Sequence, residues 1–426
     1  MNDHPSLPFS PSMRGRLVVV AVAMLALGGC TSSPAEPRSD SIPTPSGEAV
    51  DVAADPVGST AGGEGWIAFS ADWRGHDLRL VRAGEPAHRI LGGDDVARRC
   101  PAFEPRGERL AFGSANGNVD DGWTDAALGI ALVSEDGEAT VLKEFALDGF
   151  AAPPCPVWSP DGDAIAIGTQ LPGYAWRGIM EAIVLVDTET GALRRIDDIA
   201  ATDFEWSPDG TRLYIAAARG ILAYSVADAE LSVVDDTQLG LNITVSPDGE
   251  NLAVERRKIN AADRYELWLM GSDGSDAHVI AADYAQMHGL GPVWAPDGDH
   301  VVYQRSCVTA TSSTGAERPC REEHEAVIVT VSDGDPTDPV GMVRLIAAPR
   351  IGDGSPWYPY SVTWSPDSSR LLYLGWWVEP DDQSYADGLI VVPLDGSEPT
   401  VLYESSSNGV DPYAGSPMNN YQSWAG

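Results

Sequence analysis

An alternating apolar and polar pattern recurs along the chain from residue 66 onward. Short alternating runs, typical of β-strands, are separated by Gly, Pro and Asp, which are typical of tight turns. Many of these runs follow a Trp-Ser-Pro-Asp-Gly sequence or a close variant. We call the first residue of each such motif its anchor residue. Copies of the motif begin at Trp158, Trp206, Val245, Trp294 and Trp364, and Phe103 begins a degenerate copy.

Each motif predicts a strand, a turn and a second strand. Ser, Pro and Gly stand where a type I turn favours them, and an apolar run such as Ile165-Ala166-Ile167 follows. A second hairpin is predicted later in the repeat, as at Asp273-Gly274, because Asp-Gly between apolar runs is a strong hairpin signal. Each repeat therefore predicts four antiparallel strands, the first ending at the anchor residue.

Incomplete repeats stand at the two ends of this region. Trp66–Phe69 resembles a second strand without a first, and Tyr421–Ala425 matches Ser361–Ser365 and then stops. We therefore predict that residues 65–426 form an all-β, seven-bladed β-propeller of four-stranded antiparallel blades, closed by N- and C-terminal strands that share one blade. A pair of β-sandwiches is the alternative, but it does not explain the split repeat.

These repeats resemble the propeller of the TolB family. They are also similar to propellers of prolyl-oligopeptidase-like enzymes and of actinobacterial envelope lipoproteins, over Trp66–Gly426. The resemblance implies a propeller fold and a bacterial cell-envelope lipoprotein. TolB-like propellers usually have six blades, and TolB carries an additional N-terminal domain, whereas this sequence predicts seven blades preceded by a tether.

The N-terminal segment has the features of an export signal. A basic stretch precedes the apolar run Leu17–Leu27, which is too short to span a bilayer. Leu27-Gly28-Gly29-Cys30 then resembles a bacterial lipobox. We predict a lipoprotein signal peptide over residues 1–29 and a diacylated Cys30, which would hold the protein in the outer leaflet of the cell membrane.

Two alternatives to this interpretation concern the N-terminus. One is an ordinary cleaved signal peptide with an incidental cysteine, and the other is a true start at Met13. Residues 30–64 begin with the lipidated cysteine and are rich in Ser, Pro, Gly, Ala and Glu, which predicts a flexible tether.

The charge balance limits the choice of partner. The formal net charge is −36, and Lys143 and Lys258 are the only lysines among 27 basic residues. A surface this acidic repels phosphate backbones and anionic lipids, so we expect no nucleic-acid partner and membrane contact through the lipid alone. We expect a monomer.

Four cysteines remain after Cys30, which predicts two disulfides in an exported protein. Cys100 and Cys155 each stand three residues before an anchor residue, so a bridge between them would join neighbouring blades. Cys307 and Cys320 flank a predicted long loop and would close it. No histidine accompanies them at the usual spacing, so we predict no metal site.

Long segments fall on the side of the predicted blades opposite to the motif turns. They are predicted to be loops and include Ser114–Ala127, Ala347–Tyr360 and Gly375–Asp387. Aromatic and acidic residues are mixed there, a combination suited to sugars or cationic groups. The candidate binding face comprises Trp123, Trp176, Trp357, Tyr358, Trp376, Trp377, Tyr385, Asp120, Asp121, Asp381 and Asp382.

Motifs of catalysis are missing from the sequence. It contains no Gly-x-Ser-x-Gly, no His-Glu-x-x-His, no phosphate-binding loop and no dinucleotide fingerprint. We therefore expect a scaffold that binds an envelope protein or a polysaccharide, without a cofactor and without catalysis. The alternatives are a carbohydrate-active enzyme, either a lyase or a glycosidase, that uses loop carboxylates at the channel mouth, and a sensor that binds a small solute.

Overall fold

The structure, a computed structural model, describes most of the chain after residue 64. The described residues are 65–70, 78–82, 84, 86–91, 96–105, 109–118, 122–150, 152–170, 179–259, 264–284, 291–306, 324–331, 344–347, 350–351, 355–378, 385–407 and 422–424.

The first half of the described chain contains fifteen of its strands. They are β1 (Ile67–Ser70), β2 (Leu78–Val81), β3 (His88–Leu91), β4 (Val96–Phe103), β5 (Arg109–Asn118), β6 (Gly122–Val133), β7 (Ala139–Ala146), β8 (Pro156–Trp158), β9 (Ala164–Gln170), β10 (Met180–Asp187), β11 (Leu193–Ile196), β12 (Ala201–Trp206), β13 (Arg212–Ala217), β14 (Gly220–Ser225) and β15 (Glu230–Asp235).

The remaining described strands continue the same succession. They are β16 (Gly240–Val245), β17 (Asn251–Arg257), β18 (Tyr265–Gly271), β19 (His278–Tyr284), β20 (Val293–Trp294), β21 (His300–Ser306), β22 (His324–Thr330), β23 (Arg344–Ala347), β24 (Arg350–Ile351), β25 (Ser355–Trp364), β26 (Arg370–Val378), β27 (Tyr385–Pro393), β28 (Thr400–Ser407) and β29 (Gln422–Trp424).

Consecutive strands pair antiparallel and form successive sheets. β4–β7, β16–β19 and β20–β23 are four-stranded sheets, and β24–β28 is a five-stranded sheet. β8–β11 and β12–β15 belong to one eight-stranded sheet, but only the pair Met180–Ala201 joins the two halves. β29 adds to β1–β3 and places Trp424 opposite Ile67.

Buried apolar side chains fill the junctions between consecutive sheets. Strands alternate their side chains between two faces, so each sheet packs against the preceding sheet on one face and the following sheet on the other. Such a cluster lies at every step from β1–β3 to β24–β28. A further cluster joins the last sheet to the first, with Leu372 and Leu389 packed with Ile67 and Phe69.

The motif turns are held by their own side chains. Ser159 Oγ donates to Asp161 Oδ1 at 2.5 Å and accepts from Ala164 N at 2.9 Å, while Gly162 N donates to the Ser159 carbonyl at 2.9 Å. The serine hydroxyl therefore ties the start of the turn to its end. The same contacts recur in the turns that begin at Ser207, Ser246 and Ser365.

Three anchor tryptophans each connect their sheet to another inner strand. Trp158 Nε1 donates to the Ala102 carbonyl at 2.8 Å, and Ala102 immediately precedes the anchor residue Phe103. Equivalent bonds run from Trp206 to Val157 at 3.1 Å and from Trp364 to Val293 at 3.0 Å. The repeated tryptophan thus has a structural role in the spacing of the sheets.

The all-β prediction is confirmed for the described residues, which contain no helix, and successive four-stranded antiparallel sheets of this kind are the units of a β-propeller. None of these residues offers a helix with the length and apolar character needed to cross a membrane.

The interpretation of the long segments as loops was wrong for three of them. β5 and β6 extend through most of Ser114–Ala127, and β25, β26 and β27 extend into the other two. Tryptophan, tyrosine and valine favour extended, paired backbone, and that preference prevails over the polar residues between them.

Candidate functional site

A bulge recurs in the inner strands, the strands that end at anchor residues. In β12, β16 and β25 the register shifts around a residue four positions before the anchor. The extra residues are Thr202, Leu241 and Tyr360. A bulge bends its strand and re-aims the neighbouring side chains. We call the anchor residues and the motif turns of each sheet the turn end, and we call the rest of the inner strand, with its bulge and the neighbouring strand ends, the far end.

The bulge in β4 positions one half of a disulfide. Its register shifts between Arg99 and Ala102, where Pro101 has no N–H for the ladder. Cys100 adopts a left-handed φ of 52° there and bonds to Cys155, with 4.9 Å between the Cα atoms. The predicted bridge therefore joins β4 to the segment just before β8.

Gly113 permits the close approach that this disulfide requires. It pairs with Arg99 in β4, and a Cβ on Gly113 would lie 1.9 Å from the carbonyl oxygen of Pro154. Pro154 immediately precedes Cys155. A larger residue at 113 would therefore push the second cysteine away from the first.

Two carboxylates of β12 reach the next inner strand. Asp203 Oδ2 accepts a hydrogen bond from Ile243 N at 3.0 Å, and Glu205 Oε2 accepts one from Val245 N at 3.2 Å. The backbones of β12 and β16 are not paired in a ladder. The two side chains therefore satisfy amides of β16 that have no partner strand on this side.

Burial changes the acidity of both carboxyl groups. Loss of solvation raises the pKa of Asp203 to about 7. Burial likewise raises the pKa of Glu205 to about 8, and the negative charge of Asp203 adds to that rise. Near neutral pH this pair can therefore retain protons, so it can donate a hydrogen bond or act as a general acid.

Polar contacts continue from β12 through the next two inner strands. Asn242 Nδ2 donates to the buried carboxylate of Glu255 at 2.6 Å, within the sheet β16–β19. Thr244 Oγ1 accepts from Trp294 N in β20 at 3.3 Å. The inner strands β12, β16 and β20 are thus linked by side chains of polar residues placed one or three positions before their anchors.

Part of the predicted binding face is brought together at the far end of one sheet. In β25 and β26, Trp357 lies opposite Trp377 and Tyr358 lies opposite Trp376. Tyr385 begins β27 opposite Val378. The backbone therefore places five of the predicted aromatic residues within two neighbouring hairpins.

Trp123 lies at the far end of another sheet. It belongs to β6, opposite Gly117 of β5, and its side chain is partly exposed. Nearby, Asn116 Nδ2 and Thr124 Oγ1 both donate to Asp125 Oδ2, at 3.0 and 3.1 Å. These bonds hold the hairpin that presents Trp123.

Several predicted residues lie outside the described residues. They are Cys30, Asp120, Asp121, Trp176, Cys307, Cys320, Asp381 and Asp382. Among the residues that are described, no group of three or more His, Cys, Asp or Glu side chains could hold a metal ion.

The Asp203–Glu205 pair was missed by sequence analysis. Both residues stand on the same face of a strand because they are two positions apart. In Thr202-Asp203-Phe204-Glu205-Trp206, a short strand that alternates acids with aromatic residues just before an anchor was the available signal.

Comparison with known proteins identifies no family for this chain. No protein-family model matches it, and no curated protein matches it. Solved structures do match in fold. TolB from Acinetobacter baumannii is 18% identical, with a TM-score of 0.44, over 66% of this chain and 65% of that one. The chain thus spans slightly less than two thirds of that TolB.

Two further structures have a similar fold. Hydrazine synthase from Kuenenia stuttgartiensis is 14% identical over 72% of this chain and 79% of that one, with a TM-score of 0.47. A proposed 6-phosphogluconolactonase from Bacteroides fragilis is 12% identical over 83% of this chain and 97% of that one, with a TM-score of 0.51. Of these three likenesses only the last exceeds 0.5, and at 12% identity it concerns the fold alone.

Proposed function

We propose that this chain is an exported lipoprotein, anchored by acylated Cys30, whose seven-bladed propeller binds an envelope protein or a polysaccharide through its far end. Seven blades follow if β29 is counted with β1–β3 and the eight-stranded sheet is divided at Met180–Ala201. The cluster shared by the last and first sheets supports a closed ring. The proposed role is non-catalytic.

The observation that carries this proposal is the contrast between the two ends of the sheets. The turn end is closed by short turns that satisfy their own polar groups. The far end carries the strand extensions, with Trp357, Tyr358, Trp376 and Trp377 paired in one hairpin. Aromatic residues concentrated on a rigid scaffold are typical of binding surfaces.

A capture experiment with the acylated full chain tests the binding role. Crosslinked capture from detergent-solubilised envelope, together with binding to purified envelope polysaccharide, is compared for the wild type and a Trp376→Ala/Trp377→Ala variant. We expect at least a roughly tenfold loss of the captured partner, as for an interface hot spot.

The matched control removes exposed apolar surface elsewhere. Leu231 and Val233 of β15 are 43% and 63% exposed. Changing both to alanine should leave capture unchanged. Equal capture by the wild type and the tryptophan variant would contradict the proposed binding face.

The proposed localisation has its own test. Replacing Cys30 by alanine should abolish incorporation of labelled palmitate and should release the protein from the membrane fraction. Unchanged membrane association of the variant would show that the anchor is not Cys30.

The raised pKa values of Asp203 and Glu205 favour a second candidate, a glycan-cleaving enzyme. Both carboxylates already accept amide hydrogen bonds from β16, which favours the structural role. Release of reducing ends from envelope polysaccharide, lost in both Asp203→Asn and Glu205→Gln, would establish the enzyme instead.

A further inference from the structure

Among the described residues, two buried polar side chains in one junction between sheets lack hydrogen-bond partners. Gln304 of β21 is 2% exposed, and neither its Nε2 nor its Oε1 has a partner in the described part of the chain. Tyr373 of β26 is 0% exposed, and its hydroxyl likewise has no partner there. Buried polar groups in folded proteins are almost always paired with protein or ordered solvent, so two such groups together indicate a bound molecule.

The strand register places both side chains in the same junction between sheets. Gln304 follows Val302 by two positions and lies opposite Ala326, so it shares their face of the sheet β20–β23. Val302 and Ala326 pack in one cluster with Tyr373. The Gln304 side chain therefore lies on the face of its sheet toward β24–β28, and Tyr373 lies on the face of its sheet toward β20–β23, in the same junction.

The preceding junction shows what is different here. Glu255 stands ten positions after its anchor, as Gln304 does, and Asn242 lies opposite it and donates to it at 2.6 Å. Continuing the register of β20 and β21 places Gly291 opposite Gln304. Glycine offers no side chain, so the intramolecular partner present in one junction is absent from the next.

The surroundings determine the chemistry of the missing partner. An amide offers two donors and an acceptor, and a phenol offers one donor and further acceptor capacity. Tyr373 packs with apolar side chains such as Val302 and Ala326, and these would offer no counterion to a charged group buried beside them. We propose that Gln304 and Tyr373 form a buried binding site for a neutral hydroxyl group.

Two sources could supply such a hydroxyl, ordered water and a neutral sugar. The site is close to the far end of its sheet, because Tyr373 precedes Trp376 by three positions in β26. A sugar would enter from that end. The site does not depend on the proposed function, because it rests on groups that are buried whatever the far end binds.

Crystal structures of the full chain, grown with and without D-glucose, test occupancy directly. We expect electron density within about 3 Å of both the Gln304 amide and the Tyr373 hydroxyl. An isolated peak that is the same in both crystals identifies water, and density extended into a ring only with glucose identifies the sugar. The absence of density beside both groups in both crystals would overturn the proposal.

Thermal unfolding of two conservative variants provides the second test. If both groups bond to one occupant, Tyr373→Phe and Gln304→Met should each lower Tm by about 2 °C. The double variant should fall no further than the more affected single variant, because both lose the same occupant. If Tyr373→Phe leaves Tm unchanged or raises it, the hydroxyl has no partner in the folded protein and there is no site.

The matched control is Tyr224→Phe, in a tyrosine of β14 that is 4% exposed and lies outside this junction. Its effect on Tm should add to that of Gln304→Met. In the sugar case, millimolar D-glucose should raise the Tm of the wild type but not that of Gln304→Met, and glucuronate should raise neither.

Discussion

The turn end and the far end of these sheets are built on different principles. At the turn end, Ser159, Asp161 and Trp158 make contacts that later copies of the motif repeat. At the far end, neighbouring sheets carry unlike groups at equivalent positions. Three residues before their anchors stand Cys100, Cys155, Asp203, Asn242, Gly291 and Ser361.

The difference separates what holds the sheets together from what distinguishes them. Repeated local bonds fix the spacing of the sheets at the turn end. The recurring bulges interrupt the regular pairing of the inner strands, so equivalent side chains can take different orientations and different roles in each strand. Specific chemistry is therefore expected at the bulges and beside them.

Removing the C-terminal strand should have the largest effect on stability, because it disturbs the turn end and the far end of its sheet together. Deleting residues 419–426 removes β29 and leaves one edge of β1, whose residues are buried, without its partner. We expect a loss of about 5 kcal/mol in the free energy of unfolding, measured with urea. Deleting only Ala425 and Gly426, beyond β29, is the control. Equal stability of the two deletions would contradict a structural role for this pairing.

The disulfide should have the next largest effect. Cys100→Ala/Cys155→Ala removes a crosslink with a sequence separation of 55. The loop entropy predicts a loss of about 4 kcal/mol in the free energy of unfolding. Under reducing conditions the wild type and the variant should be equally stable. A difference that persisted there would assign the loss to packing of the cysteines and not to the crosslink.

The two ends should respond oppositely to pH. At the far end, the folded-state pKa values of Asp203 and Glu205 lie above the ordinary values of 3.8 and 4.5. The folded state then binds more protons, so their contribution is fully present below about pH 4 and is lost as pH rises to about 8. Asp203→Asn/Glu205→Gln should reduce the fall in unfolding free energy over this range by several kcal/mol, because a change of one pKa unit corresponds to about 1.4 kcal/mol.

Asp209 provides the control at the turn end. The Ser207 hydroxyl bonds to it and lowers its pKa, so its contribution is present above its ordinary pKa and is lost as pH falls below about 4. Asp209→Asn should therefore change stability on the acid side only. An unchanged slope between pH 4 and 8 in the Asp203→Asn/Glu205→Gln variant would show that those carboxyls are ionised throughout.

Loss of a single anchor indole should have the smallest effect. Trp158→Phe removes the bond to Ala102 and should cost about 1 kcal/mol of unfolding free energy. Trp294→Phe is the matched variant, because its indole donates to Gly298 within its own turn, at 3.0 Å. Amide exchange in β4 should accelerate only in Trp158→Phe. Equal amide exchange in β4 of both variants would show that the Trp158 indole does not connect the two sheets.

The turn end could be predicted residue by residue. Ser-Pro-Asp-Gly determines its turn through contacts within a few residues, so the strands around Trp158 and Trp206 lie where the pattern predicts them. The disulfide was also predictable, because Cys100 and Cys155 stand at equivalent positions in adjacent repeats. Locality and repetition made both inferences possible.

The far end could not be predicted in this way. No recurring residue in the repeat indicates the bulge at Thr202. The hydrogen bonding of Asp203 depends on an amide in another sheet. Paired aromatic strands at Trp357 and Trp376 were interpreted as loops because nothing local indicates their partners. The missing partner of Gln304 becomes visible only when two junctions are compared.

The pairing of β29 with β1 has a mechanical consequence. Trp424 lies opposite Ile67, so the segment that precedes Ile67 and the segment that follows Trp424 are both attached at the same end of this antiparallel pair. Tension applied between the two flanking segments would pull across the strands and break their hydrogen bonds one after another, beginning at that pair. The ladder would open like a zipper at low force, whereas strands loaded lengthwise resist with all their bonds together.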